Sequence, residues 1–211
     1  MRRKIVRLAL SEIGGVTHFE SIIDQQEGAT CGFEAVENVL QLYVPVDNNV
    51  SRTDLLSRAH AYGALWWDGS SHLLDVGAYQ QILQDYGIQS HWAPFSHDAL
   101  IDAVWSNRVA IVVVDGNLLD PRTYTAPNSW HAIMVTNLVT DLTHRTALAY
   151  AGADSNFGGQ QRFWSVDVLE RASTAFPYWS MLVTDDPARW PRHSAHFVQL
   201  PNSRIIRGKV K

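Results

Sequence analysis

Apolar positions recur with two different periods along this chain, and the change from one to the other divides it. From Cys31 onward, Ala35, Val36, Val39, Leu40 and Tyr43 fall at i, i+1, i+4, i+5 and i+8, the stripe of an amphipathic helix. Thr30 stands where an N-cap belongs, and Val44-Pro45 ends the run, because the residue before a proline is pushed out of helical geometry. Ser51 can cap a second helix over residues 52–61. Residues 63–71 are irregular and aromatic, with Trp66 and Trp67. A third helix is predicted over 75–86, with Leu74, Ala78, Ile82 and Leu83 on one side and Gly87 as its stop. Residues 88–92 read as a short strand, and Ser96 can cap a fourth helix through Ser106.

Beyond Ser106 the grammar becomes that of strands. Residues 109–114 form a continuous aliphatic run closed by Asp115-Gly116, which suits a buried strand. A loop rich in Asp, Pro and Asn follows over 117–129. Strands are expected at 131–138, 146–153 and 178–184, a short helix at 166–175, and an edge strand at 197–200. Ahead of Cys31, residues 4–10 and 16–24 read as short extended pieces. Helices first and strands after predict an α+β fold, with a helical N-terminal half packed on a C-terminal antiparallel sheet. The active site is expected between the two halves. A single domain is expected over 1–211, with its core at about 20–185 and 186–211 as a C-terminal extension.

Composition narrows the classes. The chain has 211 residues, of which 46% are hydrophobic and 18% charged, enough apolar material for one folded domain. Its net charge is −4, so no overall field favours nucleic acid or an anionic membrane. No Gly-rich phosphate loop follows a strand, and no transmembrane run of about 18 apolar residues occurs. The basic start Arg2-Arg3-Lys4 leads into an apolar stretch broken by Arg7, too short for a signal peptide. Cytoplasmic residence is therefore expected, or export without a signal peptide. The single cysteine rules out an intrachain disulfide.

That cysteine, Cys31, should lie in the first turn of a helix, where unpaired backbone N–H groups and the positive end of the dipole favour a thiolate. Gly28, Thr30 and Gly32 around it leave the backbone open to a substrate. A thiolate needs a base, and His131 opens a strong strand directly after a loop, which fixes its position. Asp154 and Asn156 follow the next strand, and either can accept the Nδ1–H of His131 and fix its tautomer. Gln25 and Gln26 precede Cys31 by six and five positions, a reach from which a side-chain amide can donate to an oxyanion beside the Cys31 N–H. Trp66, Trp67, Trp92 and Trp130 can wall a cleft or fill a core. His193 and His196 have the spacing of two metal ligands but no third partner, so no metal and no cofactor is expected.

The order Gln25-x5-Cys31-Gly32, helix, Trp130-His131-Ala132-Ile133-Met134-Val135, then Asp154 resembles the papain-like cysteine peptidase superfamily. It is most similar to the compact bacterial branch that includes bacteriocin leader-processing peptidases. The resemblance spans residues of about 20 to 185 and includes the helix ending in Tyr86-Gly87-Ile88. It implies a peptide or protein substrate, with Cys31 as nucleophile, His131 as base, Asp154 as orienting residue and Gln25 as oxyanion donor. Gly32, Trp130 and Trp67 would line the substrate cleft. Phe33-Glu34 stands where the family often has small residues or proline. Asp154 is not followed by proline, so Asn156 stays open as its alternate, and Gln26 as that of Gln25. The expected function is a thiol-dependent amide hydrolase. The same machinery supports a glutamine deamidase or transglutaminase-type effector, and the fold also supports a peptide-binding domain without turnover.

Overall fold

The aliphatic run at 110–115 lies near the centre of a seven-stranded sheet. The computed structural model describes residues 31–44, 50–67, 72–125, 129–141, 146–157, 161–174, 180–188 and 196–198. Within them the helices are α1 (Cys31–Tyr43), α2 (Arg52–Ala61), α3 (Val76–Asp85), α4 (His97–Trp105), the single turn α5 (Gly116–Leu119) and α6 (Val166–Ser173). The strands are β1 (Leu65–Trp67), β2 (His72–Leu74), β3 (Ser90–Ala93), β4 (Ala110–Asp115), β5 (Trp130–Asp141), β6 (Thr146–Ala153), β7 (Gln161–Ser165), β8 (Met181–Thr184) and β9 (His196–Val198). The fold is α+β. The main sheet runs β3-β8-β4-β5-β6-β7, antiparallel throughout, and β9 joins β5 in parallel beyond the end of β4.

All six residues of β4 are buried because helices cover both faces of the sheet. On one face, Phe33, Val36, Val39 and Leu40 of α1, with Leu55 of α2 and Ile82 and Leu83 of α3, pack against Ile111, Ala132, Met134 and Leu182. On the other, Leu100 and Ala103 of α4 and Leu169 and Ala172 of α6 pack against Val112, Val114, Ile133, Val135 and Met181. A strand buried on both sides has no polar face to present, hence its unbroken apolar run. The sequence reading anticipated the first of these helical layers; α4 and α6 form the second.

Predicted and observed elements agree best where caps are strong. Ser51, Asp75 and Ser96 accept hydrogen bonds from the N–H groups of Asp54, Gly77 and Ala99, and α2, α3 and α4 start at the next residue. Four places differ. Residues 116–119, expected as the end of a strand and a loop, form the single turn α5. Part of the irregular 63–71 stretch pairs as the antiparallel ribbon β1–β2. Strand β5 runs to Asp141, three residues past its expected end, because β9 and β6 supply partners there. Strand β7, Gln-Arg-Phe-Trp-Ser, has neither an aliphatic run nor a strict polar–apolar alternation to betray it.

The β5–β6 register slips between Val135 and Asn137. Beside that bulge lies Gly152, where a Cβ would sit 1.8 Å from the Met134 carbonyl oxygen. Only glycine lets the two backbones approach so closely. Two residues later β6 delivers Asp154.

Candidate active site

Cys31 is half-buried at the first residue of α1, and three sets of contacts fix that helix. Phe33, Val36, Val39 and Leu40 are fully buried, each contributing about 2 kcal/mol of burial. At the far end, the Tyr43 hydroxyl lies 2.6 Å from Thr184 Oγ1 and donates to the Asp186 carbonyl at 2.7 Å. On the flank, Arg52 of α2 reaches Glu34 at 3.0 Å and Glu37 at 3.1 Å, with its guanidinium 4.6 Å above the Phe33 ring. Burial raises the Glu37 pKa, and the charge and hydrogen bond of Arg52 oppose that rise.

Gly32 has a packing role. It is buried, and a Cβ there would lie 2.3 Å from the Tyr79 hydroxyl. The space beside it belongs to Tyr79 of α3, a different reason for glycine from the open substrate approach expected. Burial first, and then the charge of Cys31, push the Tyr79 phenol well above its ordinary pKa.

His131, at the second residue of β5, is buried and hydrogen-bonded to Cys31. Its Nε2 lies 2.9 Å from Asp154 Oδ1 and 2.7 Å from the Tyr124 hydroxyl. With Nε2 so engaged, Nδ1 is the nitrogen left for Cys31. The expectation that Nδ1–H meets the acidic partner is therefore corrected: the ring uses its two nitrogens the other way round. Strand β6 runs antiparallel to β5 and pairs Ala153 with Met134, which brings Asp154 beside the start of β5, where it meets the Nε2 edge of the ring.

The electrostatics follow from burial. Burial alone lowers the His131 pKa, but the charge of Cys31 and the hydrogen bonds to Asp154 and Cys31 outweigh it, and the imidazolium is held up to about 10. Burial likewise raises Asp154, and the hydrogen bond and charge of His131, with donors from Tyr124 and the Asn156 N–H, bring it below its ordinary value. Asn156, the alternate for Asp154, is exposed. It gives its backbone N–H to Asp154 at 3.1 Å and its side chain to Tyr124, and His131 takes Asp154 as its partner.

Tyr124 was not singled out in the sequence. The only signal was an aromatic residue between two threonines in a loop of Asp, Pro and Asn, seven positions before His131. Gln25 and Gln26 lie outside the described residues, as do Gly28, Thr30 and His193. Trp67 contributes its backbone to β1, and its side chain lies outside the described residues. Trp130, beside His131, is 60% exposed at the rim of the site, whereas Trp92 is partly buried with its ring 6.0 Å from that of Tyr79. Among the described residues no cluster of three His, Cys, Asp or Glu side chains is arranged to hold a metal ion. No described helix is long and apolar enough to cross a membrane.

No protein-family model matches the sequence, and no curated protein is significantly similar to it. Among solved structures, one provisionally described as a C39-like peptidase from Bacillus anthracis superposes with a TM-score of 0.58. It covers 82% of this chain and 98% of its own, at 11% identity. At that identity the likeness is one of fold: this chain shares the α+β fold of that structure.

Proposed function

We propose that the chain is a thiol-dependent amide hydrolase of cysteine peptidase type. One observation carries the reading: a buried histidine is bonded on one side to the chain's single cysteine and on the other to a buried carboxylate. The fold neighbour's description as a C39-like peptidase agrees with it.

In this reading His131 takes the Cys31 proton, and the thiolate attacks the carbonyl carbon of an amide. The oxyanion is held by the Cys31 backbone N–H, a first-turn donor with no partner inside its own helix, and by the amide of Gln25 or its neighbour Gln26. The imidazolium then gives its proton to the departing amine, and the acyl group stays on sulfur. Water, activated by neutral His131, releases the acid and restores the thiol. Asp154 stabilises the imidazolium and keeps its Nε2–H pointing away from Cys31. Trp130 offers an apolar wall beside the reacting atoms for a peptide or protein substrate.

Labelling by chloroacetamide at pH 6 tests the reacting pair. Rapid modification of Cys31 that is lost in His131→Ala is expected; a rate equal to that of free cysteine would sink the proposal. Intact-mass analysis of candidate substrates separates the chemistries. Peptide hydrolysis divides the chain, while glutamine deamidation by the same acyl-enzyme adds about one dalton.

A further inference from the structure

Tyr124 lies in the loop between α5 and β5, and an unusual number of contacts fix it there. The Asp115 carboxylate caps α5 by accepting from the Asn117 N–H at 2.9 Å, and the Gly116 N–H donates to the Ser129 carbonyl at 2.7 Å. The Asn117 side-chain amide donates to the Tyr124 carbonyl at 2.9 Å, and the Tyr124 N–H donates to the Asp120 carbonyl at 3.0 Å. The ring lies directly against Gly116, where a Cβ would come within 2.7 Å of it. A loop residue held this firmly has its hydroxyl placed by the fold.

That hydroxyl stands 2.7 Å from His131 Nε2 and 2.9 Å from each oxygen of Asp154, and the two rings are 4.6 Å apart. A phenol has one hydrogen, so the directions of these bonds can be assigned. Asp154 is a carboxylate and only accepts; the Tyr124 O–H therefore donates to it. The lone pairs of the same oxygen face the Nε2–H of His131 and the Asn156 amide. Burial and the Asp154 charge both push the phenol far above its ordinary pKa, so the donor stays protonated. His131 thus shares one N–H between two acceptors, the Tyr124 oxygen and Asp154 Oδ1.

We propose that Tyr124 is a positioning residue of this site, its hydroxyl bridging His131 and Asp154 so that the imidazole is locked with Nδ1 toward Cys31. The inference rests on the reading of Cys31 and His131 as the reacting pair. A carboxylate alone leaves the ring free to pivot about a single contact, whereas two acceptors on different elements fix its plane. Among the described residues, the titratable and charged groups facing His131 are Cys31 from α1, Tyr124 from the loop and Asp154 after β6, with Asn156 as a neutral neighbour of the last two.

The test uses the full chain, with His131 followed by 15N-histidine NMR and Cys31 by chloroacetamide. In Tyr124→Phe, which keeps the ring against Gly116, the His131 midpoint should fall by about one pH unit, a tenfold loss of proton affinity. Alkylation at pH 6 should slow about five- to tenfold, with the melting temperature close to that of the parent. A folded variant whose midpoint and alkylation match the parent overturns the role of Tyr124. Replacing Tyr124 by 3,5-difluorotyrosine keeps shape and hydroxyl while weakening the oxygen as an acceptor. It should lower the midpoint in the same direction, and no change again counts against the bridge. Parent-like alkylation in His131→Ala would instead remove the reacting pair itself, whatever Tyr124→Phe does.

Discussion

Replacing Asp154 by asparagine changes one charge and almost no volume, in a place where three donors converge on the carboxylate. His131 Nε2 is 2.9 Å from Oδ1, the Tyr124 hydroxyl 2.9 Å from both oxygens, and the Asn156 N–H 3.1 Å from Oδ1. An amide keeps one acceptor and turns the other oxygen into a donor. If its oxygen takes the Oδ1 position, it still accepts from the Asn156 N–H and from the Nε2–H of His131, while its NH2 meets the Tyr124 hydroxyl in place of a carboxylate oxygen. The geometry of the bonds to His131 is then kept, and what the imidazolium loses is the negative charge beside it. At 2.9 Å and an effective dielectric constant of about 20, the attraction between carboxylate and imidazolium is about 6 kcal/mol, or about four pH units. The Tyr124 and Asn156 donors already share that negative charge, so the expected fall is smaller. His131 should drop from about 10 by at least about two units, leaving burial to dominate. Alkylation of Cys31 at pH 6 should slow by about 10²-fold or more, the factor that a two-unit loss of proton affinity at its partner implies. The assay is a pH–rate series from 5 to 10 with chloroacetamide, alongside the 15N shifts of His131. A midpoint within one unit of the parent, in a protein that melts normally, refutes the assignment of Asp154 as the group that holds the imidazolium.

Two further outcomes follow from the same geometry. The folded His131 pKa lies above its unfolded value, so its stabilisation is complete below about 6.5 and is lost as pH rises toward about 10. The folded Asp154 pKa lies below its unfolded value, so its share is present above about 3.9 and is lost as pH falls through the folded value. Thermal melts from pH 3 to 10 should show the parent's advantage over Asp154→Asn greatest between about pH 4 and 6.5 and shrinking on both sides; a gap constant with pH contradicts the linkage. Gly152→Ala puts a Cβ 1.8 Å from a backbone carbonyl that cannot move without opening the β5–β6 ladder. It should cost about 3 kcal/mol or more by urea unfolding and part His131 from Asp154. A loss under about 1 kcal/mol would mean that the bulge is free to rearrange.

What the residues determined by themselves were the parts governed by local physics. The period-3.6 stripe from Ala35 to Tyr43 yields α1 with its bounds, and the side-chain caps at Ser51, Asp75 and Ser96 place the starts of three more helices. The unbroken run at 110–114 signals a buried strand, and the order of Cys31, His131 and Asp154 was legible because each stands at or beside the end of an element, where polar residues interrupt the apolar pattern. The contacts between those ends were decided by tertiary structure. No local rule selects Nε2 over Nδ1 for Asp154; the antiparallel pairing of β5 and β6, with the β5 bulge beside Gly152, brings the carboxylate to the ring, and only the packed site shows that it meets Nε2. Nor does sequence reveal that Gly32 and Gly116 are small because Tyr79 and Tyr124 fill the space beside them, since those neighbours lie 47 and eight positions away. Tyr124 itself shows no period and no motif. Its place between His131 and Asp154 arises only once the cap at Asp115, the turn at Gly116 and the register of β4 with β5 have brought the loop over the histidine.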